Sequence, residues 1–423
     1  MRCRGATGPL VRKLDARARD PREVIGELRR PGGFLSEEVR EAARRIVEDV
    51  RDRGDEALLE YTERFDGIRP QQIRVPQRDL ERARESLSPE IRDSIGVAID
   101  NVRAFHENEM DRSWERSHAG ATTGQRVRPI RRAGLYIPGG HAAYPSTLVM
   151  SGVPALVAGV PEIRISTPPG PDGLPDPHVL AVAGLLGLEE VYTVGGAQAV
   201  GAMAYGTESV DGVDKIVGPG NDYVTAAKLE VFGIVGIDAP QGPSEILVIA
   251  DAGALPERVA SDLMAQAEHL SGASAVLLTP SEALISGVEP LLSGEPAEQV
   301  TLAHVEDLAQ AVEISNHFAP EHAHVISEDQ EAVIRDLDAA GMVAVGDFSP
   351  VALGDYAAGP SHALPSGGAA VWASALGTHD FLRRTNYIHF TREALRALGP
   401  HVERLARLEG FENHAASVRT RMG

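Results

Sequence analysis

Lys215-Ile-Val-Gly-Pro-Gly-Asn221 decides the fold. A short strand runs into a Gly-Pro-Gly turn, and a helical run to about Phe232 opens directly after it. The same order recurs upstream, where the strand Glu190–Val194 leads into Gly195-Gly196-Ala-Gln198-Ala and another helix. Earlier still, Ala133–Ile137 ends in Pro138-Gly139-Gly140 before a helix over about 146–159, and a strand at Glu162–Thr167 precedes a helix at about 177–187. Repeated strand–turn–helix units with glycine at the turns predict an open parallel sheet. In such sheets ligands sit at the carboxyl ends of the strands. After Gly242-Pro243-Ser244-Glu245 the pattern restarts, with strands at Ile246–Ala250, Ala275–Thr279, about 298–303, about 323–327 and Val343–Asp347 and a helix at about 255–270. The chain therefore reads as α/β, two units in tandem.

The flanks differ. Residues 1–35 are charged, broken by Pro21, Pro31, Gly32 and Gly33, and read as an arm with a short helix. Ser36 is an N-cap for the stripe Val39, Ala43, Ile46, Val47 and Val50, which Gly54 closes. A second helix runs to about Phe65, and Ser88-Pro89 starts a third along Ile91, Ile95, Ala98, Ile99, Val102 and Phe105. This helical region carries no chemical cluster and reads as scaffold. The charged, helical C-terminal tail has too little apolar surface for its own core and is expected to pack on something else, such as a second subunit.

A length of 423 residues suggests two or more domains. The net charge of −20 argues against nucleic acid, whose phosphates need a basic footprint. Cys3 is the only cysteine, so no internal disulfide forms, which fits a reducing cytosol, and the body of the chain holds no thiol nucleophile. No apolar run approaches the roughly 20 residues of a membrane span, and Met-Arg-Cys-Arg at the start has no following apolar region of a signal peptide. A cytoplasmic protein is expected.

Four clusters could carry chemistry. In Ala265-Gln-Ala-Glu-His269, Gln266 and His269 lie three apart and share one helix face. A carboxamide oxygen beside an imidazole is half of a metal site, though a solvated helix end reads the same way. The turns at Gly195-Gly196 and Gly218-Pro-Gly220 lack the G-x-G-x-x-G fingerprint but can present N–H groups to an anion, or serve as tight turns only. Ala319-Pro-Glu321-His322 sets two proton acceptors side by side, apt for repeated proton removal near neutrality or merely a surface pair at a strand start. In Gly354-Asp355-Tyr-Ala-Ala-Gly359-Pro-Ser-His362, Asp355 is a hard metal ligand or a helix cap and His362 a pocket residue. Nothing local demands a function of Glu409 or His414, and His106, His118, His178, His304 and His401 read as surface residues.

Together these stretches resemble the histidinol dehydrogenase family over essentially the whole length. The resemblance is carried by Gly134-Leu-Tyr-Ile-Pro-Gly-Gly140, Gly195-Gly-Ala-Gln-Ala199, Val217-Gly-Pro-Gly-Asn221, Gly242-Pro-Ser-Glu245, Ala265-Gln-Ala-Glu-His269, Ala319-Pro-Glu-His322, Gly354-Asp-Tyr-Ala-Ala-Gly359 and His362-Ala-Leu-Pro-Ser-Gly-Gly368. Each is weak alone; eight in order are specific. The resemblance implies two NAD-linked oxidations, L-histidinol to L-histidine through the aldehyde, as the last step of histidine biosynthesis. It implies one zinc per subunit held by Gln266, His269, Asp355 and His414, the last from the partner in a domain-swapped homodimer. Glu321 and His322 match the family's proton acceptors; Ser244, Glu409 and His362 match its substrate contacts, alongside His322 and the zinc ligands. Tyr136, Gln198 and Asn221 match its NAD contacts.

The expected fold is two tandem incomplete Rossmann-like parallel-sheet units with an N-terminal helical region and a C-terminal helical tail. The expected division is an arm at 1–25, a main domain of 26–135 with 240–375, an NAD-binding domain at 136–239 and a tail at 376–423 completing the partner's site. The chain departs from the family pattern at His141, Leu270-Ser271, Ser361 and Ser366, without removing a zinc ligand or proton acceptor. Zinc has no redox chemistry, so hydride must leave on an organic cofactor. A thiohemiacetal route needs a cysteine, so hydration of the aldehyde by a water activated by Glu321 is the expected path. The rival readings are a family member oxidising another small alcohol, such as a sulfonated diol, a zinc hydrolase with Glu321 as base, and a non-catalytic nucleotide-binding protein.

Overall fold

Caps and apolar stripes set the first helices of the computed structural model, whose described residues are 11–29, 35–139, 143–269 and 272–423. Cys3, His141, Leu270 and Ser271 lie outside them. A strand, β1 (Arg12–Asp15), and α1 (Pro21–Leu28) precede α2 (Glu37–Arg53), α3 (Asp55–Asp66), α4 (Gln77–Ser86) and α5 (Pro89–Glu107). Ser36 and Ser88 accept the N–H groups of Val39 and Ile91, satisfying donors that a helix start leaves free. Ala43, Ile46, Val47 and Val50 are buried, as their spacing predicts. On α5 the buried positions include Ala98, Val102 and His106, while Phe105 is turned outward. His106 is therefore not a surface residue: it is fully buried, with Nδ1 2.6 Å from Glu109 Oε2.

A hairpin follows, β2 (Trp114–His118) and β3 (Ala121–Pro129), turned at Ala119-Gly120 with both φ angles positive. Next comes a wholly parallel five-stranded sheet from β4 (Arg132–Tyr136), β5 (Glu162–Thr167), β6 (Val191–Thr193), β7 (Lys215–Val217) and β8 (Gly236–Ile237), in the order β6-β5-β4-β7-β8. Its helices are α6 (Pro145–Val157), α7 (Pro177–Leu186), α8 (Gly196–Tyr205) and α9 (Asp222–Val231). The N-terminal helices pack on these: α4 on α7, α5 on α6, and α2 on α8 and α9. The scaffold thus closes two apolar cores, one on each set of helices.

The second half builds β9 (Glu245–Ala250), α10 (Pro256–Ala267), β10 (Ser274–Thr279), α11 (Glu282–Val288), β11 (Val300–His304), α12 (Leu308–Phe318), β12 (His322–Ile326), α13 (Gln330–Asp336), β13 (Met342–Val345) and α14 (Val351–Tyr356). Its six-stranded sheet is also parallel, ordered β1-β11-β10-β9-β12-β13. Ile246 to Ala250 are all 0% exposed, the unbroken apolar run of a strand covered on both faces. Part of the expected N-terminal arm is thus an edge strand. Only Leu14 of its four residues points inward, so it has too little patterning to be read from sequence.

The tail corrects a second expectation. Before α15 (Arg392–Leu408) and α16 (Glu412–Met422) the chain forms β14 (Leu382–Phe390), antiparallel to β3 in the order β14-β3-β2. Most side chains of β14 and β2 are exposed, so no apolar alternation marks them. Among the described residues no helix is long and apolar enough to cross a membrane.

Candidate active site

Parallel pairing of β9 and β12 sets His322 opposite Ile246, so the amino ends of the two strands bring Glu245, Glu321 and His322 together. This is the amino edge of the sheet, not the carboxyl edge expected for an open parallel sheet. Nδ1 of His322 donates to the Glu245 carbonyl at 3.1 Å, and Nε2 faces Asp355 Oδ1 at 3.2 Å. A carbonyl only accepts, so Nδ1 keeps its proton and Nε2 is the nitrogen that titrates. The Glu321 carboxylate accepts the Glu245 N–H at 2.8 Å and lies 3.7 Å from His322 Nδ1. Burial opposes a charged His322, but Glu321, Asp355 and the Glu245 carbonyl together raise it to about 9. Burial pushes Glu321 up to about 7, against His322 and the Glu245 N–H and with Asp355. Glu245 also rises to about 7, through burial first and the Glu321 charge second.

His362 joins this cluster from the loop after α14. Its Nδ1 donates to the Asp355 carbonyl at 2.7 Å, and Nε2 lies 3.1 Å from the Thr147 hydroxyl on α6. Burial holds His362 below the usual histidine range, with His322 and His269 adding to the effect and Asp355 opposing it. A neutral His362 thus accepts from Thr147 and links helices of the two sheets. Ser361 and Ser366 keep acceptor roles, Ser361 for Ala363 N–H and Ser366 for Gly242 N–H at 2.6 Å.

The metal candidates assemble only in part. Gln266 lies in the last turn of α10, 5% exposed, and its carboxamide has no hydrogen-bond partner among the described residues. His269 lies beyond the helix end at Ala267, its N–H reaching back to the Gln266 carbonyl at 3.3 Å, so a turn rather than a helix keeps their spacing. Asp355 is half-buried and His414 exposed, the latter stacked on Phe411 on the tail helix. Among the described residues no three His, Cys, Asp or Glu converge to hold a metal. A buried carboxamide without a partner, two imidazoles and a carboxylate nevertheless make a donor set that suits zinc.

At the carboxyl edge of the five-stranded sheet the glycine turns meet. The Tyr136 hydroxyl accepts the Gly196 N–H at 3.1 Å, and burial raises its phenol to about 12. Gln198 is 1% exposed, and among the described residues both its amide atoms are without a hydrogen-bond partner. Such an orphan suits a polar ligand against the turn. Asn221 caps α9, its Oδ1 accepting the N–H groups of Tyr223 and Val224. Beside these turns a cleft of about 830 Å³ is lined by Asp66, Pro138, Gly139, Thr167 and Pro168. Burial raises Asp66 there to about 6, and no sequence signal marks that residue.

Gly218 has φ +120°, and a Cβ would collide with the Tyr136 carbonyl oxygen. Its peptide is clamped from both sides: the N–H donates to Asp238 at 2.8 Å, and the carbonyl accepts from Lys228 at 3.0 Å. Lys228 and Asp238 form an ion pair with side chains 2% and 3% exposed. Lys228→Met is expected to cost about 3–5 kcal/mol in denaturant unfolding, because Asp238 is left buried and uncompensated. Replacing both members by apolar residues should cost less; an equal or greater loss would refute a paired role.

The chain has known relatives in sequence and fold. Residues 32–422 match the histidinol dehydrogenase family. Histidinol dehydrogenase of Synechococcus sp. is 47% identical over 90% of this chain and 92% of its own length. That of Aquifex aeolicus is 42% identical over 94% and 96%. The crystal structure of histidinol dehydrogenase from Elizabethkingia anophelis superposes with TM-score 0.91 at 34% identity, covering 97% of this chain and 98% of that one. The chain belongs to the histidinol dehydrogenase family. It is accordingly an oxidoreductase, with an α/β fold of parallel sheets and helices like that of its solved relative.

For a histidinol dehydrogenase fold, one chain leaves the remaining predicted contacts apart. Ser244 is half-buried beside Glu245, but Glu409 is exposed at the end of α15 and His414 on α16. Sequence reasoning placed Glu245 only in the Gly242-Pro-Ser-Glu245 motif, whose Ser244-Glu245 pair argues for an amino-alcohol substrate, and gave no role to Thr147. The signal for Glu245 was available, since a glutamate opening an apolar run is buried by the strand it starts.

Proposed function

We propose that this chain oxidises L-histidinol to L-histidine through the aldehyde, the last step of histidine biosynthesis, and passes two hydrides to NAD. The observation that carries the reading is the buried Glu321–His322 pair, with Nδ1 of His322 fixed by a carbonyl and Nε2, opposite Asp355, left as the nitrogen that exchanges a proton. When bound, zinc would position the imidazole and amine of the substrate, and NAD would take the hydride of each oxidation. Gln266, His269 and Asp355 of one chain with His414 of a second would hold the metal. Tyr136, Gln198 and Asn221 would meet the nucleotide.

The residues of this chain do the proton work. His322 Nε2 takes the hydroxyl proton as the alcohol carbon gives up its first hydride. Glu321 takes a proton from the water as its oxygen bonds the aldehyde carbon, protonated His322 gives its proton to the resulting alkoxide, and His322 Nε2 then takes a hydroxyl proton of the hydrate as its carbon gives up the second hydride. Asp355 favours the protonated His322, so neutralising the Asp355 charge lowers the affinity of Nε2 for its proton and makes it a better acceptor. Ser244, Glu409 and His362 are assigned to substrate contact.

A homodimer is part of the same proposal. Leu398, Val402, Leu405 and Leu408 lie exposed along α15, an apolar stripe for a second copy to cover. A tail that crosses to the partner would bring its Glu409 and His414 to the partner's Asp355. The two sheets are proposed as incomplete Rossmann-like units. The packing of α2–α5 on α6–α9 favours placing residues 37–107 with the five-stranded sheet, not with residues 240–375 as first expected. A cytoplasmic location is proposed from composition. The deciding assay is NAD reduction with L-histidinol set against other small alcohols. Turnover of another alcohol without L-histidinol turnover would sink the proposal.

A further inference from the structure

Gly218 lies between the end of β7 at Val217 and the helix α9 that Asn221 caps, where neither sheet nor helix satisfies its backbone. Asp238, just past β8, accepts its N–H, and Lys228, on α9, donates to its carbonyl. The same two side chains pair with each other out of water. Lys215, on β7 itself, does not stand in for Lys228, since it pairs with Asp380 at 2.6 Å. Burying such a pair is costly, and an apolar pair of similar size commonly stabilises a fold as well or better. The pair is therefore better explained by what it fixes than by stability. What it fixes is direction: a side chain at Gly218 would meet the Tyr136 carbonyl oxygen, and Pro219 after it is locked about its own φ. Three residues on from Gly218, Asn221 Oδ1 is taken up by the N–H groups of Tyr223 and Val224, which leaves its Nδ2 amide for a ligand.

We propose that Lys228 and Asp238 are positioning residues for the cofactor: by holding Gly218 from both sides they aim the Nδ2 amide of Asn221, and the turn that carries it, at NAD. Both are buried, and their polar atoms are spent on Gly218 and on each other, so they act through the turn and not by touching the nucleotide. The inference rests on the reading of this turn as part of the NAD site. It goes further in separating two roles: an apolar replacement of the pair restores stability without restoring the aim of Asn221.

NADH binding to the full chain, followed by nicotinamide fluorescence, is measured beside urea unfolding of the same samples. Lys228→Met should lower the unfolding midpoint, and Lys228→Met combined with Asp238→Leu should bring it back towards that of the wild type. The double variant should nevertheless bind NADH about tenfold more weakly, the scale on which a displaced supporting group is felt. Its KM for NAD should rise likewise, while KM for L-histidinol changes little. Asn221→Ser keeps an acceptor for the helix cap and lacks the amide, so it should weaken NADH binding in the wild type and add little in the double variant. A double variant that binds NADH as tightly as the wild type overturns the proposal, as does a fully additive loss from Asn221→Ser in that background. Should the double variant not fold, Lys228→Met alone carries the same comparison below its unfolding transition. A wild type that binds no NADH refutes the cofactor reading of the turn and this inference with it. One that binds NADH without oxidising L-histidinol refutes the proposed substrate and leaves the role of the pair standing.

Discussion

His322→Asn is expected to lower kcat for L-histidinol oxidation by about 10²–10⁴-fold while KM changes little. The asparagine amide can still donate to the Glu245 carbonyl, so the fold at the start of β12 keeps its hydrogen bond. What disappears is Nε2, the nitrogen that faces Asp355 and exchanges the proton. A loss shared equally between kcat and substrate affinity would point to a binding role. Retention of kcat within a few-fold in steady-state NAD reduction would remove His322 from the chemistry.

The second large effect belongs to Asp355. Asp355→Ala should weaken zinc binding by about 10²-fold or more, read by metal analysis after dialysis against a weak chelator. Activity should fall with metal content. The same change removes the carboxylate opposite Nε2, so the proton affinity of His322 should fall as well, which NMR titration of the metal-free chain can follow. Unchanged zinc content would reject the metal assignment, whatever happened to the rate. A lower His322 midpoint with zinc retained would leave Asp355 as a partner of His322 alone.

Much of the scaffold is legible because its local chemistry and its packing agree. Ser36, Gly54 and Ser88 start or stop helices for reasons internal to a few residues, and the apolar strands of both sheets are covered on two faces. β1, β2 and β14 are not legible, since their side chains are mostly exposed and only their long-range partners make them strands. His106 is misread because its neighbour Phe105 looks like the better core residue, yet the helix turns His106 inward to meet Glu109. The pair Glu321-His322 is visible as chemistry, but its partner Glu245 lies on another strand and is joined to it only by sheet register. Likewise Gln266, His269 and Asp355 can be named as donors, and the resemblance already puts His414 on a second chain, while the turn that carries His269 past the end of α10 at Ala267 is seen only in three dimensions.

The pairing of Arg12 with Thr301 spans most of the polypeptide. During synthesis the amino-terminal strand must wait for β11, while the whole five-stranded sheet can form in the interval. Closing so large a loop is slow, and until it closes the outer edge of β11 is an open template for another chain. Trimming or tagging the amino terminus is therefore an intervention at the far rim of the six-stranded sheet, with its first signature in the yield of soluble protein.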